Sequence, residues 1–192
     1  FDTLIASHVI EHIPDFISFL KSAERLLAPH GVISLAIPDP RYCFDYFKPR
    51  STTGDVLEAY ALRRTRHSVR ALWNHAAYSV DMDGTGAWGQ HPVGHATLVS
   101  PFAEAAALSV DLLRETGEQY YRDCHTWAFT PAGLTLIMLE LAQLRLVDWH
   151  IDRLHGPSGC EFIVYLRRGV DRIVDPEQLD ARRKGLLLQQ LR

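Results

Sequence analysis

Residues Phe1–Pro40, FDTLIASHVIEHIPDFISFLKSAERLLAPHGVISLAIPDP, decide how this chain folds. Thr3, Leu4, Ile5 and Ala6 form an apolar run long enough for a buried strand and too short for a helix. Ser7 to Pro14 then carries two histidines and a glutamate where that strand would end. Asp15 can cap a helix whose apolar positions Phe16, Phe19, Leu20, Ala23, Leu26 and Leu27 fall on one side, with Lys21, Ser22, Glu24 and Arg25 on the other. Pro29-His30-Gly31 stops the helix, and Val32 to Ile37 makes a second apolar strand before Pro38. Strand, crossover helix, strand predicts a right-handed parallel unit with both sheet faces covered. Ligands of such sheets sit beyond the carboxyl ends of the strands. Ser7, His8, Glu11 and His12 belong to one such end; Pro38, Asp39 and Arg41 belong to the next.

FDTLIASHVIEHIPD, the helix after it and LLAPHGVISLAIPD together resemble the second half of class I S-adenosylmethionine-dependent methyltransferases. In that family a strand ending near a Glu-His pair precedes a helix, a Pro-x-Gly turn and the next strand. The resemblance covers residues 1–39 and returns more loosely over 125–168. It implies a partial Rossmann-like α/β fold, with parallel strands, a C-terminal antiparallel hairpin and a helical insertion. Residues 1–39 and 129–169 would form the C-terminal half of the methyltransferase core, 40–128 a helical insertion acting as substrate lid or wall, and 170–192 a helical extension. The implied cofactor is S-adenosylmethionine, and the implied acceptor a small molecule, such as a hydroxyl of a sugar or another metabolite. By the same resemblance Ser7 and His8 flank the methionine part of the cofactor, and Glu11 and His12 are catalytic. Family members hold the cofactor mainly through an earlier glycine-rich turn and an acidic residue for the ribose. No G-x-G-x-G follows a strand in this sequence, so the cofactor-binding half is expected to be missing from this chain. The chain alone is then expected to bind the cofactor weakly or not at all, and to associate with that half or with a second copy of itself.

The chemistry of methyl transfer ranks the candidate residues. It is an in-line displacement, so positioning supplies most of the catalysis, on the order of 7–11 kcal/mol. For a hydroxyl acceptor a base adds about 10²–10⁴-fold. His12 is the first candidate, since the positive end of the following helix favours the neutral imidazole that a base needs. Asp39, at the neighbouring strand end, is placed to orient or charge-stabilise it. Alternatively, Glu11 and His12 merely close the turn by hydrogen bonds. Arg41, Tyr42, Asp45, His67, His75, Tyr78 and His125 could line an acceptor pocket, though each taken singly is more readily explained by packing.

No metal site is expected. His8-Val9-Ile10-Glu11-His12 matches the H-x-x-E-H pattern of a zinc hydrolase. Two histidines four apart serve one zinc only on a shared helix face, and here they follow a strand directly with Pro14 two residues on. His91-Pro92-Val93-Gly94-His95 and Asp81-Met82-Asp83-Gly84 look metal-like but complete no set and read as polar turns. A non-catalytic methyltransferase-like binding module is the reading from another class.

Composition sets the outer bounds. The chain has 192 residues, enough for one substantial core, and 47% of them are hydrophobic. Twenty basic against twenty-three acidic residues, with no dense basic block, point to neither nucleic acid nor an anionic membrane. Cys43, Cys124 and Cys160 are far apart, which argues against a disulfide framework and for a reducing compartment, the cytoplasm. The most apolar segment, Leu134 to Leu146, is interrupted by Glu140, Gln143 and Arg145, so no membrane span is expected.

Farther along, 54–65, 68–80 and 101–121 read as helices of the insertion, and 81–95 as a Gly- and His-rich loop. Trp73, Trp88 and Trp127 read as core. Thr130-Pro131 opens a helix to about Arg145 that is apolar nearly all round. Leu146 to Leu154 alternates as a strand, 155–159 is a turn, and Glu161 to Arg167 is a strand returning antiparallel. Asp175-Pro176 caps a charged C-terminal helix expected to lie outside the core.

Overall fold

A computed structural model describes residues 1–90, 94–114, 121–170 and 172–191. Strand β1 (Thr3–Ser7), helix α1 (Phe16–Leu26) and strand β2 (Val32–Pro38) form the expected parallel unit, in register from Thr3 opposite Val32 to Ser7 opposite Ala36. Asp15 caps α1: Oδ1 accepts from the Ser18 amide at 2.9 Å and Oδ2 from the Ser18 hydroxyl at 2.6 Å. The buried side of α1 is Phe16, Ile17, Leu20 and Ala23, with Leu27 just beyond its end. Leu26, expected on that side, is 55% exposed; Ile17 fills the stripe instead. Gly31 ends the connection where a side chain has no room, since a Cβ would stand 2.9 Å from both the Ala28 carbonyl and the Leu27 Cβ.

Beyond β2 come helices α2 (Thr53–Ala61) and α3 (Val69–Tyr78), strands β3 (Val80–Met82) and β4 (Ala96–Leu98), and helix α4 (Phe102–Arg114). The segment read as all loop over 81–95 thus begins in a strand, β3, which pairs antiparallel with β4. The third helix is shorter than expected within the described residues, and 115–120, which the sequence reading also gave to it, lie outside them. Thr52 closes a reciprocal capping box with Asp55 at the start of α2, and Ser68 caps α3.

Helix α5 (Pro131–Gln143) starts at the Thr130 cap as expected, and Arg145, left-handed at φ 59°, ends the turn after it. Strand β5 (Trp149–Ser158) and strand β6 (Glu161–Arg168) then form the hairpin. β5 starts later than the alternating pattern suggested and runs through the residues read as a turn. Register shifts after Ile151 and after His155 absorb the irregularity, so the turn itself shrinks to Gly159-Cys160. Helix α6 (Pro176–Gln190) lies outside the main core cluster, as expected, but is not detached. It packs on α5, with Leu186 buried and Arg183 Nε donating to Glu140 Oε1 at 2.8 Å.

The main sheet has the order β1-β2-β6-β5, parallel in its first pair and antiparallel in the other two. One face carries Ala6, Ile33, Leu35, Ile37, Phe162, Val164 and Leu166, packed against α1, against Val56 and Ala59 of α2, and against Leu134, Ile137 and Leu141 of α5. Truncating one of these leucines or isoleucines to alanine would cost about 2–5 kcal/mol. The other face is a correction to the expectation of two covered faces. Ile5 is 78% exposed there, and Ser34, Ala36, Ile163 and Tyr165, on the same side by register, are only partly buried. The fold is mixed α/β, with α1, α2 and α5 packed on one face of a mixed sheet, α6 on α5, and α3 against α4. Among the described residues no helix is long and apolar enough to cross a membrane.

Candidate functional site

The carboxyl end of β1 leads into a short 3₁₀ turn, Ile10–His12, through His8. The His8 amide donates to the Ala36 carbonyl at 3.0 Å and its backbone is left-handed, φ 52°, which turns the chain out of the sheet. Ile10 anchors the turn in the core. The Glu11 carbonyl then accepts from the amides of Thr126, at 2.7 Å, and Trp127, at 3.3 Å. Trp127 also donates through its indole to the Ile13 carbonyl at 2.6 Å. These backbone bonds bring the 121–130 segment, which has no regular secondary structure, across the strand end and seat His125 beside Glu11.

A carboxylate oxygen of Glu11 and one ring nitrogen each from His12 and His125 lie within 4.8 Å of one another. The two imidazoles meet edge to face, centroids 4.6 Å apart. Each is held from behind by a carboxylate: His12 Nδ1 by Asp123, 2.9 Å to Oδ2, and His125 Nδ1 by Asp45, 2.6 Å to Oδ2. With Nδ1–H donated, Nε2 is the nitrogen left with a lone pair on each ring. Glu11 and His125 are buried, whereas the His12 side chain is 32% exposed, so the cluster has a closed floor and an open rim.

Neither carboxylate oxygen of Glu11 has a hydrogen-bond partner, although both are buried. Burial pushes the Glu11 carboxyl above its ordinary value, against the pull of its own backbone amide and then of the His125, His8 and His12 rings. Burial also acts to raise Asp45, but there the hydrogen bond from His125 and the ammonium of Lys48 outweigh it and hold the carboxyl low. Lys48 is itself buried, 2.5 Å from Asp45 Oδ1 and 3.1 Å from His75 Nδ1. These donors suit proton transfer and equally suit metal ligation.

The other candidates fall into five places. His8 gives Nε2 to Glu161 at 2.6 Å, which joins the ends of β1 and β6, and Ser7 stands exposed just before it. Asp39 is fully buried, yet it does not touch His12. It binds Arg41 through Nε at 3.0 Å and Nη2 at 2.7 Å, and Arg41 in turn lies over the Tyr42 ring at 5.3 Å. The orienting role expected of Asp39 is filled by Asp123. Asp45, His75 and His125 do converge, linked by Lys48, while Tyr78 lines a separate cleft of about 220 Å³ with Arg50, Arg70 and Asn74. His67 donates to or accepts from Thr126 and Tyr121, backing the rim beside Asp123.

Asp81 and Met82 end strand β3 and only Asp83-Gly84 form the polar turn, the Gly84 amide donating to Asp81 at 3.0 Å; His91, Pro92 and Val93 lie outside the described residues. Trp127 is core as expected, whereas Trp73 and Trp88 are only partly buried. All three cysteines are free. Sequence reasoning missed Asp123, Lys48 and Glu161. The Asp123-x-His125 spacing was one available signal, but the partners of Lys48 and Glu161 are distant in sequence or buried by the fold. Compared with models of known families, with curated proteins and with solved structures, the chain matches none of them.

Proposed function

We propose that this chain carries the acceptor side of an S-adenosylmethionine-dependent methyltransferase, and that the Glu11–His12–His125 cluster receives an acceptor hydroxyl and its proton. The single observation behind this reading is a buried, unpartnered carboxylate beside two imidazoles, each held by its own carboxylate, at the end of a parallel strand. The β1-α1-β2 unit and the C-terminal antiparallel hairpin are what the methyltransferase resemblance implies, and they support the reading at the level of architecture. Ser7 and His8 lie on the cofactor side of the cluster in this reading. Asp45, His75 and His125 lie on the acceptor side, and Arg41 and Tyr42 at the next strand end extend the same wall. Tyr78, in its separate cleft, is left out of it. A small hydroxyl-bearing metabolite is the acceptor class, and a reducing compartment such as the cytoplasm suits three free thiols.

The test uses the protein as its gene encodes it, with radiolabelled S-adenosylmethionine and a panel of sugars and other hydroxylated metabolites. Transfer is expected to fall about 10²–10⁴-fold in His12→Ala while cofactor affinity stays within a few-fold, since the cluster acts on the transition state. Turnover within a few-fold of wild type would return His12 to a structural role. A gene product that does not bind S-adenosylmethionine at all would make the chain a non-catalytic binding module.

A further inference from the structure

We infer that Glu11, His12 and His125 bind a divalent first-row transition cation, with a carboxylate oxygen of Glu11 and Nε2 of each imidazole as its ligands. A Glu11 carboxylate oxygen and one ring nitrogen of each histidine already lie within 4.8 Å of one another. Ligands at about 2.0–2.2 Å from a tetrahedral ion stand roughly 3.3 Å apart, so small side-chain rotations close the set. Two histidines and one carboxylate with a further position open are the donor set of catalytic zinc and of non-haem iron sites. The open position would face the rim at His12.

Two independent observations point to a cation. First, a metal-binding histidine ordinarily gives its other ring N–H to a carboxylate, which fixes the tautomer and strengthens the ligand. Both rings do so here, His12 to Asp123 and His125 to Asp45. Second, the Glu11 carboxylate is buried with neither side-chain oxygen hydrogen-bonded, and His8 Nδ1 stands 3.8 Å from Oε1, beyond hydrogen-bond reach. A cation at the cluster satisfies that carboxylate.

Only the use of the site rests on the methyl-transfer reading. With the imidazoles and Glu11 engaged by a cation, the acceptor proton that the proposed function gives to the cluster would instead leave to solvent at the rim. The acceptor oxygen, in the open position, would then form the new O–C bond while the sulfonium's C–S pair returns to sulfur.

The experiment needs neither cofactor nor acceptor. Protein stripped with a chelator is titrated with cobalt(II), followed by visible absorption, and with zinc(II), followed by calorimetry and thermal unfolding. One equivalent of cobalt is expected to give ligand-field bands that zinc abolishes, and zinc is expected to raise Tm. Glu11→Gln, close to isosteric and checked for folding by circular dichroism, should lose the bands, as should His125→Ala. Asp45→Asn should weaken binding about 10–100-fold. His30→Ala, at an exposed histidine away from the cluster, should change nothing. Absence of stoichiometric binding, or binding that survives in folded Glu11→Gln, overturns the inference and leaves the cluster a hydrated proton-transfer site. Binding without methyl transfer by the gene's product defeats the functional proposal alone. Methyl transfer by protein shown to hold no cation defeats the cation alone.

Discussion

Lys48 sits buried between Asp45 and His75, and its ammonium can donate to His75 Nδ1 only while that nitrogen keeps its lone pair. Burial, and then the charge of Lys48, lower the His75 pKa from 6.5 to about 4. The folded protein therefore holds His75 neutral at pH values where the unfolded chain protonates it. Stability from this histidine is fully present above about 6.5 and drains away as pH falls toward about 4, by up to about 3 kcal/mol. In urea unfolding between pH 7 and pH 4.5, His75→Gln should show a shallower loss of stability than wild type. Equal slopes would mean that His75 is hydrated. At this scale the sequence made Glu11, His12, His75 and His125 visible as polar residues near strand ends and in the insertion. It could not show that a lysine would be buried among them, because nothing local to Lys48 announces a partner twenty-seven residues away.

Helix α1 shows what periodicity can and cannot supply. Its cap, start and buried stripe are legible because they depend on residues within one or two turns of each other. Asp15 is buried and makes both of its bonds to Ser18, so Asp15→Ala should cost about 0.5–2 kcal/mol, with Asp15→Asn recovering part of it. Chemical denaturation of the two variants checks this, and an alanine variant as stable as wild type would mean the amide is satisfied by water instead. β5 was harder to read. Its two register shifts break the alternation that marks a strand, and its Gly-Pro pair imitates a turn. The 121–130 segment was harder still. It has no period, and its place is set by hydrogen bonds to the Glu11 carbonyl, a long-range pairing that carries no local pattern. That is why the histidine completing the cluster could be named as a candidate but not joined to Glu11 and His12.

At the scale of the molecule, the open side of the sheet and the free edge of β1 meet at Ile5. β1 pairs only with β2, so the backbone groups of its outer edge have no ladder partner among the described strands. Ile5 projects from the face opposite the helices and is 78% exposed, beside half-buried Ser34 and Tyr165 in the same cross-strand row. A short edge strand carrying an exposed isoleucine, with no charge of its own to repel a like strand, favours antiparallel pairing with a second copy about a two-fold axis. Charges farther along the face act as partial guards: Arg153 covers the Tyr165 ring at 5.1 Å, and Arg167 pairs with Asp152. They protect the β5-β6 side and leave β1 unguarded. Residues 1–192 are therefore expected to self-associate as concentration rises. Ile5→Lys should shift the chain toward monomer without loss of stability, because the side chain it replaces contributes nothing to the core. Sedimentation velocity on both proteins over a hundredfold range of concentration decides it. A wild-type chain that stays monomeric throughout would show that this edge is closed by its own twist and shortness, and that Ile5 is an ordinary exposed apolar residue.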